Sequence, residues 1–444
     1  MSQSPSAQDT TADALDTANV RDEKIEQRNY VIFVIQGIVI QASKSIGNAH
    51  LLLPYLYVST GSPIFLAGML MPILAGARLI GQYLGAPVLS VSSTRKWFLI
   101  GGWGATAIAL ASAALAGRLT DHAVVMLIFI LVALTMGIAK GINALAFNDL
   151  MARLLNRARR NSGLFLMSAA GGAVTIAVTW LMHRISAGGN TVDHNVNLAL
   201  GAAMVTGVAT LLMFAFVEPR EPVSDGTADG QSGQTKPAKP TLSMRINKFR
   251  EVLQYSWFRS YLIMRCFTAT VIVAMPFYAV HGATHHVEKS PGGLSAFVIA
   301  TSVAVIIFGP IWSRIGKVSQ RYTLALGSIL VVCAGVWALV IGEVASLQSV
   351  LAHSVVFALA AAGIQGVNAS RMLFLIDAAP EEELAYFVTV STTLAAVLQL
   401  VLSSIFGYLA QLQGVHWPII ILVVLNSIAA VYSLSLREPA KSTH

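Results

Sequence analysis

Charge is scarce in this chain. Asp, Glu, Lys and Arg make up only 11% of its 444 residues, against 55% hydrophobic, and the mean hydropathy is +0.68. A soluble protein of this length carries roughly 25% charged residues, so lipid rather than water is expected to solvate most of the surface. Cysteine is nearly absent as well. Cys266 and Cys333 both lie in apolar runs, which supports neither a disulfide nor a thiolate metal site. Residues 1–28 contain no apolar segment, so they read as a disordered cytoplasmic tail and not as a cleavable signal peptide. No phosphate-cradling glycine loop, nucleophile elbow or zincin pattern is found on any polar segment. The reading is therefore no enzyme, no cofactor and no ATP-driven step within the chain. Short alternating strands are missing too, which excludes a membrane barrel and leaves helices as the way to satisfy backbone groups in hydrocarbon.

What is present is a series of long apolar runs. Spans are predicted at 29–58, 62–90, 97–117, 122–150, 163–185 and 196–217. A second set follows at 257–281, 293–312, 320–343, 348–376, 385–409 and 415–435. The fold class is thus an all-α polytopic membrane protein with twelve transmembrane helices. Its expected domains are the tail at 1–28, a six-helix bundle at 29–217, a linker at 218–256, a second bundle at 257–435 and a tail at 436–444. Glu221–Pro240 has linker composition, and Met244–Tyr255 is basic and amphipathic, as an interfacial helix would be.

The cations orient the chain. With both termini cytoplasmic, that side collects Arg95, Lys96, Arg153, Arg157, Arg159, Arg160, Arg314, Lys317 and Arg321, while the far side keeps Arg118, Arg184 and Lys289. The net charge of +8 is then a topological signal for insertion in an inner membrane, and nucleic acid is not an expected partner. The two sets also repeat each other. Ser62-Pro63 precedes span 2 as Ser290-Pro291 precedes span 8, Gly81 matches Gly309, and Asp149 ends span 4 as Asp377 ends span 10. Lys140-Gly141-Ile142-Asn143-Ala144 resembles Gln365-Gly366-Val367-Asn368-Ala369.

Between spans 8 and 9 runs Gly309-Pro310-Ile311-Trp312-Ser313-Arg314-Ile315-Gly316-Lys317, read as a loop. It is similar to the signature of the major facilitator superfamily, with Ser313 where Asp is usual and Val318 where a second cation is usual. The counterpart at Gly81 and Gly85 has no Asp-Arg. Six spans, a linker and six more also resemble that family. The resemblance implies alternating access by two rocking bundles around a central cavity lined by spans 1, 4, 7 and 10. It also implies a latch in which Arg314 pairs with Asp377 and holds the outward-open state. Gly309, Gly316, Lys317 and Asp149 fall in the same conformational machinery.

Five cations stand inside apolar runs: Lys44, Arg78, Lys140, Arg265 and Arg371. A charge at the bilayer centre costs about 2.5–3.5 kcal/mol on insertion scales, yet no Asp or Glu lies deep in any span to offset it. An anionic substrate is the simplest missing partner. Gln41, Lys44 and Asn48 share a helix face on span 1, Lys140 and Asn143 on span 4, and Gln365, Asn368 and Arg371 on span 10. These ten residues form the candidate substrate site. Lys140 and Arg371 reach either a cavity or, by snorkelling, the interface; Asn143 and Asn368 serve equally as ligand contacts or as helix–helix hydrogen bonds. His281, His285 and His286 read as solvated loop histidines, and no metal is expected. The expected function is secondary transport of a small anionic organic solute by a monomer in the lipid bilayer. Broad-specificity efflux, or a non-transporting assembly or lipid-delivery role, are the alternatives.

Overall fold

The computed structural model describes residues 7–91, 94, 96–154, 157–216, 251, 253–286, 292–380 and 384–436, with the side chains of most of these residues after position 26, those of 148–166 mainly excepted. Within these residues the chain is helical throughout its ordered elements. Span 1 consists of two helices, Ala7–Ile46 and Ala49–Val58. Spans 2 to 6 are Ile64–Val91, Lys96–Ala116, His122–Leu154, Arg157–Ile185 and Thr191–Leu212. Spans 7 to 12 are Ser256–His286, Gly293–Val318, Gln320–Glu343, Val350–Ala378, Leu384–Gln413 and His416–Ser435. Eleven of these are long and apolar enough to cross a membrane. The other, Arg157–Ile185, begins with the polar run Arg157-Ala158-Arg159-Arg160-Asn161-Ser162.

Three sequence expectations are revised here. The tail is helical from Ala7 and enters span 1 without a break, consistent with the lack of Gly and Pro across residues 7–36. The break falls instead inside span 1, at Gly47-Asn48, where the Asn48 side chain caps the second helix by accepting from the His50 amide at 3.1 Å. The segment Gly309–Lys317 is not a loop but the last turns of span 8, and Ser319 alone separates spans 8 and 9. Ser319 caps span 9 through its side-chain oxygen. Of the proposed interfacial helix only Glu251 and Leu253–Tyr255 lie within the described residues, as helix, turn and coil; the remainder of the linker and 437–444 lie outside them.

The two halves pack alike. In the first, span 4 packs on spans 2 and 3, span 3 on span 6, and span 1 on spans 5 and 6. In the second, span 10 packs on 8 and 9, span 9 on 12, and span 7 on 11 and 12. Each pair in one half thus has its counterpart in the other. Glycines set the closest approaches, because without a hydrophobic drive between helices in lipid, backbone proximity supplies the packing. A Cβ on Gly137 of span 4 would come within 2.5 Å of both Ala77 Cβ and Leu74 O on span 2. Gly137→Val is therefore expected to destabilise the first bundle by about 1–3 kcal/mol or more through overpacking, read as a lower unfolding temperature in detergent.

The halves meet at one end. Span 2 packs on span 11 as span 8 packs on span 5, and the second helix of span 1 packs on span 7. The Phe65 amide donates to Gln411 Oε1 at 2.9 Å, Tyr55 meets Phe297 edge-on at 5.9 Å, and Gly68 lies against Gly407. Deeper contacts, Gly76 to Leu400 and Gly172 to Ile306, reach about the middle of the spans. These contacts seal the end opposite the termini. Toward the terminal end Arg78, Asn368 and Asp377 are exposed, and the interbundle contacts named above do not include them.

Candidate cation-lined cavity

The five buried-span cations converge. Lys44 of span 1, Arg78 of span 2 and Lys140 of span 4 lie within Coulombic reach of one another. Arg265 of span 7 joins them across the bundle interface through Arg78, and Arg371 of span 10 adjoins Arg265. Lys44 and Arg78 are solvent-exposed, although protein packs closely around them. Among the described residues no carboxylate forms an ion pair with any of the five; the ion pair Arg118–Asp193, at 3.5 Å, is on the surface.

Each cation is held differently. The Lys44 ammonium stands 5.5 Å from the ring centroid of Trp103 on span 3, a cation–π contact that orients it without neutralising it. Arg371 is only 3% exposed, so it does not snorkel. One of its terminal nitrogens donates to Asn368 Oδ1, while Nε and Nη1 have no partner among the described residues. Arg265 Nε is likewise unpartnered. Beside these two guanidinium groups sits Tyr261, whose hydroxyl donates to the Arg371 carbonyl at 3.0 Å and whose ring stacks on Phe374. Buried N–H groups without acceptors cost about 1–3 kcal/mol each, so these guanidinium groups suit acceptors such as water or a bound solute.

The polar candidates divide. Asn368 is exposed and bonded to Arg371, within the cationic group. Gln41 packs against Gly171 of span 5, and Asn143 is buried against Gly102 of span 3 with both amide atoms unpartnered. Gln365 donates to the Val305 carbonyl on span 8 at 3.3 Å, leaving Oε1 without a partner. Gln41, Asn143 and Gln365 thus sit between helices, and Asn48 is engaged as a cap. Two neighbours of the cations escaped the sequence reading. Tyr261 stands four residues before Arg265 on the same helix face, a spacing visible in the sequence. Trp103 comes from another span, and no spacing connects it to Lys44. His50 also lies within the field of Lys140 and Arg78.

Of the conformational residues, Arg314 and Asp377 are both exposed and form no ion pair among the described residues. Gly309 lies near Gln365 Nε2 and Gly316 near Gln320. The side chains of Lys317 and Asp149 lie outside the described residues. The histidine reading needs correction. His281 and His285 belong to the span 7 helix, His281 is 3% exposed, and His353 of span 10 meets them there. The His286 side chain lies outside the described residues.

The family model described as Major Facilitator Superfamily matches residues 35–342. A Mycobacterium tuberculosis protein named "Uncharacterized protein Rv2209" is 27% identical over 412 residues, covering 92% of this chain and 76% of its own. A crystal structure of a D-xylose-proton symporter is similar at TM-score 0.68 and 13% identity, over 93% of this chain and 100% of that one. A POT family transporter in complex with 5-aminolevulinic acid is similar at TM-score 0.65 and 12% identity, over 94% and 96%.

Proposed function

The chain belongs to the major facilitator superfamily, and on that premise we propose that it transports a small organic anion, bearing carboxylate or phosphate, through the cation-lined cavity. It is a multi-pass membrane transporter. Alternating access in a cytoplasmic membrane, as a monomer with both termini inside, completes the reading. The observation that supports the anion is the group Lys44, Arg78, Lys140, Arg265 and Arg371, drawn from both bundles, with no carboxylate paired to it among the described residues. Cations on spans 1, 2 and 4 face Arg265 and Arg371 on spans 7 and 10. An anion held between them would draw the bundles together, the step that closes the terminal side. Arg314 and Asp377 would pair once that side shuts.

A thermal-stability screen in detergent tests the substrate class. Mono- and dicarboxylates, sugar phosphates and inorganic phosphate are compared with neutral sugars, nucleosides and organic cations. An anion at about 100 times its dissociation constant is expected to add roughly 2.7 kcal/mol of stability, and the gain should vanish in Arg265→Gln. Stabilisation by cationic or apolar compounds alone, unchanged in that variant, would instead favour efflux of such compounds.

A further inference from the structure

A second cluster lies away from the cavity, near the end opposite the termini. His281 and His285 stand four residues apart on span 7, one helical turn. His353 reaches them from the first turn of span 10. One nitrogen of each ring lies within 4.8 Å of the other two. We propose that His281, His285 and His353 form a binding site for a divalent transition-metal ion of the zinc type.

The hydrogen bonds bear on the tautomers. His285 Nδ1 lies 2.8 Å from the His281 carbonyl, and His353 Nδ1 lies 3.4 Å from the Ser349 carbonyl. A carbonyl only accepts, so both Nδ1 atoms carry protons and both Nε2 atoms present lone pairs. This is the outer-shell arrangement that orients metal-binding imidazoles. His353 Nε2 faces His281 Nδ1 at 3.2 Å. Two nitrogens, each about 2.05 Å from a tetrahedral zinc ion, stand about 3.3 Å apart, so this pair is already at ligand spacing. His285 supplies the third nitrogen, and its half-buried ring leaves the fourth position open to water or an outside ligand. Three neutral imidazoles suit Zn²⁺, Cu²⁺, Ni²⁺ or Co²⁺ and not Mg²⁺ or Ca²⁺, which prefer oxygen.

The site adjoins the sealed end. His353 lies 6.3 Å from the ring of Phe297, which in turn meets Tyr55 of the other bundle. A bound ion would tie span 7 to span 10 directly behind this interbundle contact.

The test uses the full chain purified through a tag without histidines and stripped with chelator. Titration with Co²⁺ is expected to produce the intense visible absorption of a tetrahedral nitrogen site at one ion per chain, and Zn²⁺ should displace it. His285→Gln, the substitution at the most exposed member, should weaken Zn²⁺ binding at least tenfold, as should His353→Gln. His183→Gln, in the separate His183–His194 pair at the same end, should leave it unchanged. Gel filtration establishes that each variant is folded before titration. Zn²⁺ binding equal in the wild type and in both cluster variants would overturn the proposal. So would a wild-type protein that takes up no Co²⁺, in which case the 3.2 Å contact is an imidazole–imidazole hydrogen bond alone.

Discussion

Replacing Lys44 and Arg265 together by Gln is expected to abolish uptake and at the same time to raise the stability of the empty protein. The two cations approach the cavity from opposite bundles, through Arg78. Each charged hydrogen bond to a bound anion contributes about 1.5–3 kcal/mol. Losing both lowers affinity about 10²–10⁴-fold, since each 1.4 kcal/mol is a factor of ten. The stability effect has the opposite sign. With no carboxylate paired to them among the described residues, the cations repel one another in the empty state, and their neutral replacements remove that repulsion. Arg371→Met adds a different gain at a buried site. It deletes the unpartnered Nε and Nη1 groups, for an expected gain of about 1–3 kcal/mol. It forfeits only the bond to Asn368. Such opposition between stability and activity is common where a site is built for a ligand. Parallel unfolding and uptake measurements in proteoliposomes check both signs. A large loss of stability in these variants would make the cations structural.

The second large effect concerns the sealed end. A Cβ on Gly68 would lie 2.6 Å from the Gly407 Cα, a distance that side-chain atoms do not reach without moving backbone. Gly68→Leu therefore wedges span 2 away from span 11 and breaks the seal that also includes the Phe65–Gln411 bond. The variant is expected to fold, because the wedge acts between the bundles and not within one. It should favour the state open on the opposite side, with transport reduced by about 10²-fold or more. A cysteine placed at position 55, buried at the interbundle contact with Phe297, should gain reactivity toward a membrane-impermeant reagent added from that side. Unchanged labelling with full transport would mean that the glycine contact does not govern closure.

Much of the fold was legible because lipid leaves few solutions. Backbone groups in hydrocarbon demand helices, so apolar runs located the spans within a few residues: span 9 was read at 320–343 and is Gln320–Glu343. The misreadings have local causes. The motif at Gly309–Lys317 was placed in a loop by its resemblance to the family's interspan signature, yet Pro310 is tolerated within the helix and Ser319 alone makes the connection. The cations were visible as violations of hydropathy, and the family resemblance implied that four of them stand on cavity-lining spans. Their supports were not visible. Trp103 reaches Lys44 from another span, and the exposure of Asn368 against the burial of Asn143 depends on helix rotation, which sequence spacing alone does not supply. The histidine cluster was hidden for the same reason, since His353 is 68 residues beyond His285 in the chain and only the packing of span 10 on span 7 unites them.

The most direct measurement is calorimetric titration of small anions into purified wild-type protein and into the Lys44→Gln/Arg265→Gln variant, at low and at physiological salt. The expected result is one anion bound per wild-type chain, weakened by salt and lost in the folded variant. Equal anion binding by both proteins, or wild-type binding only of neutral or cationic solutes, would contradict an anion site built from these cations.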